Sequence, residues 1–222
     1  MILIDKPAGM TSFGVVAKVR GKLKAEFGHK VKVGHTGTLD PFATGLLIIL
    51  SGKMTKKSSE YLKLDKEYIA TMKLGFMSST GDIEGEIKPY PDNDDLKESD
   101  DKTELKLAEV ESVVQGFVGT IQQTVPKYSA VKINGERAYK LARKGAEFET
   151  PTRTVTIYEI EILKYSFPEL VIRCKVSSGT YIRTLAEDIG GELGTGAYLT
   201  ALRRTKVGEF DVNDAIELED FV

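Results

Sequence analysis

The sequence predicts an α/β (α+β) fold, with helices and strands interspersed along one chain, and three observations predict it. Apolar residues recur at helical spacing after Thr11 (Val15, Val16, Val19, Leu23) and again after Leu105 (Leu107, Val110, Val113, Val114, Phe117). Residues 68–74 alternate instead, with Tyr68, Ala70, Met72 and Leu74 on one face and Ile69, Thr71 and Lys73 on the other. Residues 153–163 and 169–177 read as two strands joined around Phe167-Pro168. At 222 residues the chain is long enough for one large domain or two small ones with a real core.

Taken in order, Ile2, Leu3 and Ile4 form a short apolar strand ending in the turn cluster Asp5-Lys6-Pro7-Ala8-Gly9. Thr11 or Ser12 caps the helix that runs to about Phe27. Its outer face carries Lys18, Arg20, Lys22 and Lys24, an ordinary solvated face. Residues 34–47 read G-H-T-G-T-L-D-P-F-A-T-G-L-L. Gly34 and Gly37 free the backbone around His35 and Thr36, and Pro41 pushes Asp40 toward an extended conformation. Beyond Gly45 the unbroken apolar run Leu46-Leu47-Ile48-Ile49-Leu50 fills a buried strand or helix. A polar loop with one carboxylate is thus anchored to the core, the rigid support that a functional site needs. An isolated Asp-Pro of this kind is ordinarily an Asx turn. Gly52-Lys53 is no phosphate-binding loop, because Met54 stands where a Ser or Thr is required.

Residues 92–103 are acidic and read as an exposed, mobile linker before the helix at 105–117. Residues 122–145 interleave lysine, arginine and tyrosine in P-K-Y-S-A-V-K-I-N-G-E-R-A-Y-K-L-A-R-K-G, which offers phosphate contacts beside stacking surfaces. In the first of the paired strands Val155 and Ile157 shift phase to Ile160 and Ile162, predicting a bulge near Tyr158. In the second, Cys174 lies in phase with Ile172 and Val176 and reads as a small buried hydrophobe. That strand runs into Ser178-Gly179-Thr180-Tyr181-Ile182-Arg183, with a helix from about Thr184.

Composition narrows the class. Hydrophobic content of 41% and charged content of 29% are those of a soluble globular protein. No apolar run reaches the roughly 20 residues of a membrane span, and the N-terminus is too short and acidic for a signal peptide. One cysteine excludes an intramolecular disulfide and fits a cytoplasmic protein. Two histidines and one cysteine do not make a conventional zinc site, so no metal is expected. The net charge of −2 hides its distribution: residues 92–111 hold nine acids against three lysines, and residues 209–222 hold six acids and no Lys or Arg. The rest of the chain is clearly basic, so a phosphate-binding face remains open to it.

Residues 34–47 resemble the catalytic motif of the bacterial tRNA pseudouridine synthase B family, G-H-x-G-x-L-D-P-x-A-x-G, at every fixed position. The resemblance extends along nearly the whole chain. D-K-P-x-G-x-T-S stands at residues 5–12 as support for the site. K-x-Y-x-x-x-x-x-L-G stands at Lys66, Tyr68, Leu74 and Gly75, and T-x-D-x-x-G at residues 80–85. The basic-aromatic segment matches P-P-x-Y-S-A-x-K-x-x-G-x-R-A-Y-x-L-A-R-x-G, with Val125 in the place of the first proline. S-x-G-T-Y-I-R ends at Arg183, and residues 194–205 match through Leu202-Arg203-Arg204.

What the resemblance implies is specific. The fold would be a pseudouridine-synthase domain on a mixed, largely antiparallel sheet, with an active cleft across its middle. Residues 1–222 would be a single catalytic domain with an RNA-contacting insertion at about 122–150. The family's usual C-terminal RNA-binding module would be absent. The reaction would convert uridine 55 of the tRNA T-arm loop to pseudouridine without a cofactor, by a monomer that flips the base. Asp40 would be the nucleophile, attacking either C1′ or the uracil ring, and Arg183 would pair with it and keep it ionised. Tyr68 and Tyr181 would wall the uracil, Tyr68 could take the C5 proton, His35 would fill the space that the flipped nucleotide leaves, and Leu202 would contact the uridine. Asp82, Lys127, Tyr128, Lys132, Arg137, Tyr139, Arg143, Arg203 and Arg204 would contact RNA. A non-catalytic RNA-binding module would have lost Asp40 or Arg183, and both are present. A glycoside hydrolase would need a second carboxylate, for which Asp82 is the nearest candidate.

Overall fold

A computed structural model describes residues 1–90 and 105–221. The acidic stretch at 92–103, read above as an exposed linker, lies outside the described residues. The chain divides into two compact units, Met1–Ile69 with Ala201–Val222, and Ala70–Thr200.

In chain order, β1 (Ile2–Lys6) is followed by α1 (Ser12–Phe27), β2 (Val33–His35) and β3 (Thr44–Ser51). Thr11 rather than Ser12 caps α1: its hydroxyl accepts from the Gly14 N–H at 3.0 Å. At the other end Gly28 closes the helix at φ 71°, a conformation that other residues adopt only at a cost. The apolar run after Gly45 is a strand. Then come α2 (Ser58–Leu62), β4 (Lys66–Leu74), β5 (Phe76–Ser78) and β6 (Ile87–Pro89). The alternation predicted for β4 is present, with Tyr68, Ala70, Met72 and Leu74 all buried.

The helix predicted at 105–117 is α3 (Leu107–Gly116). It starts two residues later because the Glu109 carboxylate accepts from the Lys106 N–H at 2.9 Å and fixes the helix entry there. Only Val110 and Val114 of its apolar stripe are buried, and Leu107 is 48% exposed. The chain continues through β7 (Gly119–Thr124), β8 (Lys132–Ile133), β9 (Glu136–Arg137), α4 (Ala138–Arg143), β10 (Thr152–Ser166) and β11 (Glu169–Val176). It ends with α5 (Ile182–Glu192), β12 (Ala197–Val207), β13 (Phe210–Asp211), β14 (Ile216–Glu217) and α6 (Leu218–Phe221). α5 begins two residues before the predicted Thr184, since extended Tyr181 (φ −101°) serves as its N-cap. Arg183 is therefore in the first helical turn.

In the first unit the strand order is β14-β1-β3-β12, with β2 on β3 and β13 on β12. β1 runs antiparallel to β3, while β12 runs parallel to it at Arg203↔Thr44 and Arg204↔Gly45. Residues 46–50 of β3 are apolar without a break because both faces of the strand are covered. Leu47 and Ile49 pack with Ile4, Val15, Val16, Val19 and Leu23 on one side. Leu46, Ile48 and Leu50 pack with Val207 and Val212 on the other.

In the second unit the order is β12-β4-β11-β10-β7. β10 pairs antiparallel with both β11 and β7, and the predicted bulge falls at Tyr158, where the register shifts between Ile157 and Glu159. Cys174 is buried as expected. The sheet is mixed, with parallel pairs β1–β14 and β12–β3 among antiparallel ones. Among the described residues no helix is long and apolar enough to cross a membrane.

Candidate active site

The residues singled out above fall into two groups, one in each unit. In the first unit Asp40 is half-buried at the tip of the loop joining β2 to β3. Its neighbours are held from both sides. The Ser12 hydroxyl accepts from the Leu39 N–H at 2.8 Å and donates to the Leu39 carbonyl at 3.0 Å. On the far side, Lys6 Nζ donates to the Pro41 carbonyl at 3.2 Å, and the Gly9 N–H donates to the same oxygen at 2.8 Å. Lys6 is 0% exposed and spends further bonds on the carbonyls of Pro7 (2.8 Å) and Met10 (2.7 Å). Burying an ammonium is costly unless its donors are occupied, so Lys6 is a strut between residues 5–12 and the loop. The Asp5–Ser12 stretch thus supports the loop, and Lys6 is the residue in it that sequence reasoning passed over.

His35 lies in β2, half-buried, with Nδ1 buried and without a hydrogen-bond partner. Burial, and then the Arg204 guanidinium, lower its pKa below the ordinary histidine value, while the Gly37 backbone works weakly the other way. The lowered pKa favours the neutral imidazole at neutral pH. Tyr68, at the start of β4, and Leu202 on β12 are both buried. Arg203 makes a two-pronged pair with Asp5, at 2.6 and 3.1 Å, and keeps a partly exposed edge.

Arg204 corrects the sequence reading. It was expected to contact RNA, yet it is 1% exposed. Nε donates to the Leu46 carbonyl at 2.8 Å and Nη2 to the Gly37 carbonyl at 3.2 Å. A phosphate contact needs donors at the surface, and these lie beneath the loop. Lys66 is buried nearby, with Nζ donating to the Leu62 carbonyl at 2.7 Å. Burial, and then Arg204, pull its pKa down to about 8, against a smaller opposite effect of Asp65.

In the second unit Arg183 is the centre. Nη1 donates to the Thr80 carbonyl at 2.8 Å, Nη2 to the Tyr128 carbonyl at 2.8 Å, and Nη1 lies 3.4 Å from Asp82 Oδ2. Asp82, placed above among the RNA contacts, is only 2% exposed. Its Oδ1 accepts from Thr80 Oγ1 at 2.6 Å and from the Glu84 N–H at 2.9 Å. A carboxylate so buried does not reach RNA; it faces Arg183 instead. Gly81, at φ 75°, lies so close that a β-carbon there would be 2.8 Å from Glu187 Oε1 and 3.2 Å from Arg183 Cβ.

Tyr181 is half-buried, and its backbone is held on both sides by one buried amide. Its N–H donates to Gln123 Oε1 at 2.7 Å, and Gln123 Nε2 donates to its carbonyl at 3.0 Å. Gln123 is a second residue that sequence reasoning missed. In the basic-aromatic segment Lys127, Lys132, Arg137 and Arg143 are exposed, while Tyr128 and Tyr139 are half-buried. Arg143 lies 5.7 Å from the centre of the Tyr139 ring. The segment presents charge outward and reaches Arg183 through the Tyr128 carbonyl.

Glu187 is a third missed residue, although its spacing of four from Arg183 on a helix was a signal for it. It stands in a cavity of ≈ 450 Å³ shared with Ser78, Glu86, Lys88 and Tyr90. Although Glu187 keeps an exposed edge, burial of its carboxylate pushes its pKa up to about 7; Arg183 opposes this, and Asp188 and Asp82 add to it. The folded protein thus holds a proton that the unfolded chain releases near pH 4.5. Stability from this group is complete below that pH and is lost as pH rises through about 7. Glu187→Gln should remove the decline: the melting temperature of the variant relative to the parent should rise by about 2–4 °C between pH 5 and pH 7.5, read by thermal unfolding at each pH. A constant difference would mean that the carboxylate is already ionised at pH 5.

Among the described residues no group of three or more His, Cys, Asp or Glu could hold a metal ion.

Comparison with known proteins fits this arrangement. Residues 22–182 match the TruB family pseudouridylate synthase (N terminal domain), and residues 183–222 match the tRNA pseudouridylate synthase B C-terminal domain. The chain is 45% identical to tRNA pseudouridine synthase B of Phocaeicola vulgatus over 223 residues, covering 100% of this chain and 91% of that one. It is 45% identical to the protein of the same name from Nitrosococcus oceani over 221 residues, covering 99% and 67%. Among solved structures, it resembles a chain of a Cbf5–Nop10–Gar1 complex at 32% identity and TM-score 0.72, covering 99% of this chain and 52% of that one. A chain of an H/ACA RNP bound to a substrate RNA containing 2′-deoxyuridine aligns at 30% identity and TM-score 0.69, covering 99% and 51%. The chain thus spans about half the length of these structural relatives.

Proposed function

Because this chain belongs to the TruB family of pseudouridylate synthases, we propose that it isomerises uridine 55 in the T-arm loop of tRNA, with Asp40 as the nucleophile and the two units acting as one catalytic domain in the cytoplasm. The observation that carries the reading is the pinned loop. The Ser12 hydroxyl fixes Leu39, and Lys6 with the Gly9 N–H fixes Pro41, while the Ala43 N–H closes a turn on the Asp40 carbonyl at 3.2 Å, so the carboxylate stands on a rigid turn fit to position it for a reaction.

The reaction breaks the N1–C1′ bond, turns the uracil in place and joins C5 to C1′; the proton leaving C5 is matched by one gained at N1. Asp40 attacks either C1′ or the uracil ring, and both routes use the same loop. Arg183 supplies the positive partner, aimed by Thr80, Tyr128 and Asp82. Tyr68 and Tyr181 wall the detached base, and neutral His35 takes the space that it leaves. Flipping a loop nucleotide costs only a few kcal/mol, which favours a loop over a duplex as substrate. The exposed cations of residues 127–143, with Arg203, hold RNA phosphates. A hydrolase would need Asp82 as its second carboxylate, but that group is already bonded to Thr80 and paired with Arg183.

Turnover of an isolated T-arm stem-loop tests the reading. With uridine at position 55 it should yield pseudouridine at a kcat/KM within about tenfold of whole tRNA, or ~1.4 kcal/mol. A loop with cytidine there should yield none. No product from either RNA would overturn it. Tyr68→Phe should bind RNA as the parent does but stall after glycosidic cleavage, whereas Tyr68→Leu should lose binding and turnover together. Equal, mild effects of the two changes on single-turnover rates would reduce Tyr68 to a core aromatic.

A further inference from the structure

We propose that Arg204 is a positioning residue for the reaction, whose buried guanidinium ties together the two ends of the loop that carries Asp40. The inference rests on Asp40 being the nucleophile of the proposed reaction.

Arg204 sits on β12 at the register Arg204↔Gly45, where β12 runs parallel to the start of β3. The two backbones approach closely: at Gly45, φ 102°, a β-carbon would lie 2.3 Å from the Arg204 carbonyl oxygen. From there the side chain reaches both stems of the loop. Nε bonds the carbonyl of Leu46, where the loop enters β3, and Nη2 bonds the carbonyl of Gly37, where it leaves β2. Asp40 lies between these anchors in sequence. Ser12 and Lys6 hold the tip, and Arg204 is the side chain that braces the base, beside the Thr36 N–H bond to the Ile48 carbonyl at 3.1 Å.

The chemistry of the residue supports a dedicated task. The Arg204 guanidinium spends its Nε and Nη2 donors on backbone carbonyls, although it is as buried as the hydrophobic core around it. Burying a guanidinium against carbonyls costs stability that an apolar side chain of similar volume would not. What it provides is a rigid fork, with donors in fixed directions toward two carbonyls nine positions apart in the chain. It also places a positive charge behind His35 and Lys66, and that charge disfavours protonation of both. One side chain thus braces the base of the Asp40 loop and adds to burial in disfavouring protonation of His35.

The test separates turnover from binding and from folding. Arg204→Lys keeps the charge and loses the fork; Arg204→Gln keeps one amide donor and loses the charge. Each purified variant is checked for cooperative thermal unfolding, for affinity to a T-arm stem-loop whose target carries a non-reacting base, and for single-turnover kcat. The expected result is a kcat lower by about 100-fold, the scale for a displaced catalytic group, with affinity within threefold of the parent. A folded variant with kcat within threefold of the parent overturns the proposal. So does a loss of affinity with kcat retained, which would make Arg204 a phosphate contact after all. If neither variant folds, Arg204 is a stability element and the proposal also fails. An inactive parent would instead count against the proposed reaction itself, so the two failures are distinguishable.

Discussion

Asp40→Asn should abolish pseudouridine formation, lowering the single-turnover rate by at least about 1,000-fold, or ~4 kcal/mol. The substitution is nearly isosteric, and Ser12, Lys6 and Gly9 fix the loop on either side of it. An amide cannot form the covalent bond that the reaction needs, and it draws no stabilisation from a positive partner. RNA affinity should change by less than threefold, because affinity comes from phosphate contacts elsewhere. Binding of the stem-loop by filter retention, beside single-turnover release of the C5 proton, separates the two effects. A comparable rate in the variant would remove Asp40 as nucleophile.

Arg183→Lys should carry the second-largest loss, about 100-fold in kcat or ~2.7 kcal/mol. The guanidinium meets the Thr80 and Tyr128 carbonyls with separate nitrogens while facing Asp82. A lysine carries the same charge at one point and cannot satisfy two carbonyls in fixed directions. One carbonyl and one buried carboxylate would then be imperfectly paired, and the cation would drift. The loss should appear in kcat rather than in affinity. Near-normal kcat in the variant would show that charge alone suffices.

Legibility in the sequence followed periodicity and failed where charge was buried. α1 and β4 were readable because their apolar positions repeat at the period of the element, whereas the unbroken run of β3 announced burial without choosing between strand and helix. The bulge at Tyr158 was readable because the apolar phase of β10 changes there. Helix starts were off by two residues at α3 and α5, since Lys106 and Tyr181, neither of them a usual capping residue, occupy the N-cap positions. β12 was not expected. Its buried positions include Arg204, so a hydrophobic pattern search finds no strand face. Adjacent Arg203 and Arg204 point to opposite sides of that strand, one toward Asp5 and the other beneath the loop. Asp82 was misplaced for the same reason, because sequence does not show that Arg183 buries with it. Gln123 and Lys6 act through backbone groups distant in sequence, and no local motif announces that.

Mapping modified bases in a single tRNA reads both the reaction and its address. An unmodified tRNA transcript is incubated with the full chain, digested, labelled with a pseudouridine-specific reagent and read by mass spectrometry. One pseudouridine is expected, at position 55, with no free uracil and no product from Asp40→Asn. Pseudouridine at another position only, release of free uracil, or an unmodified position 55 would contradict it.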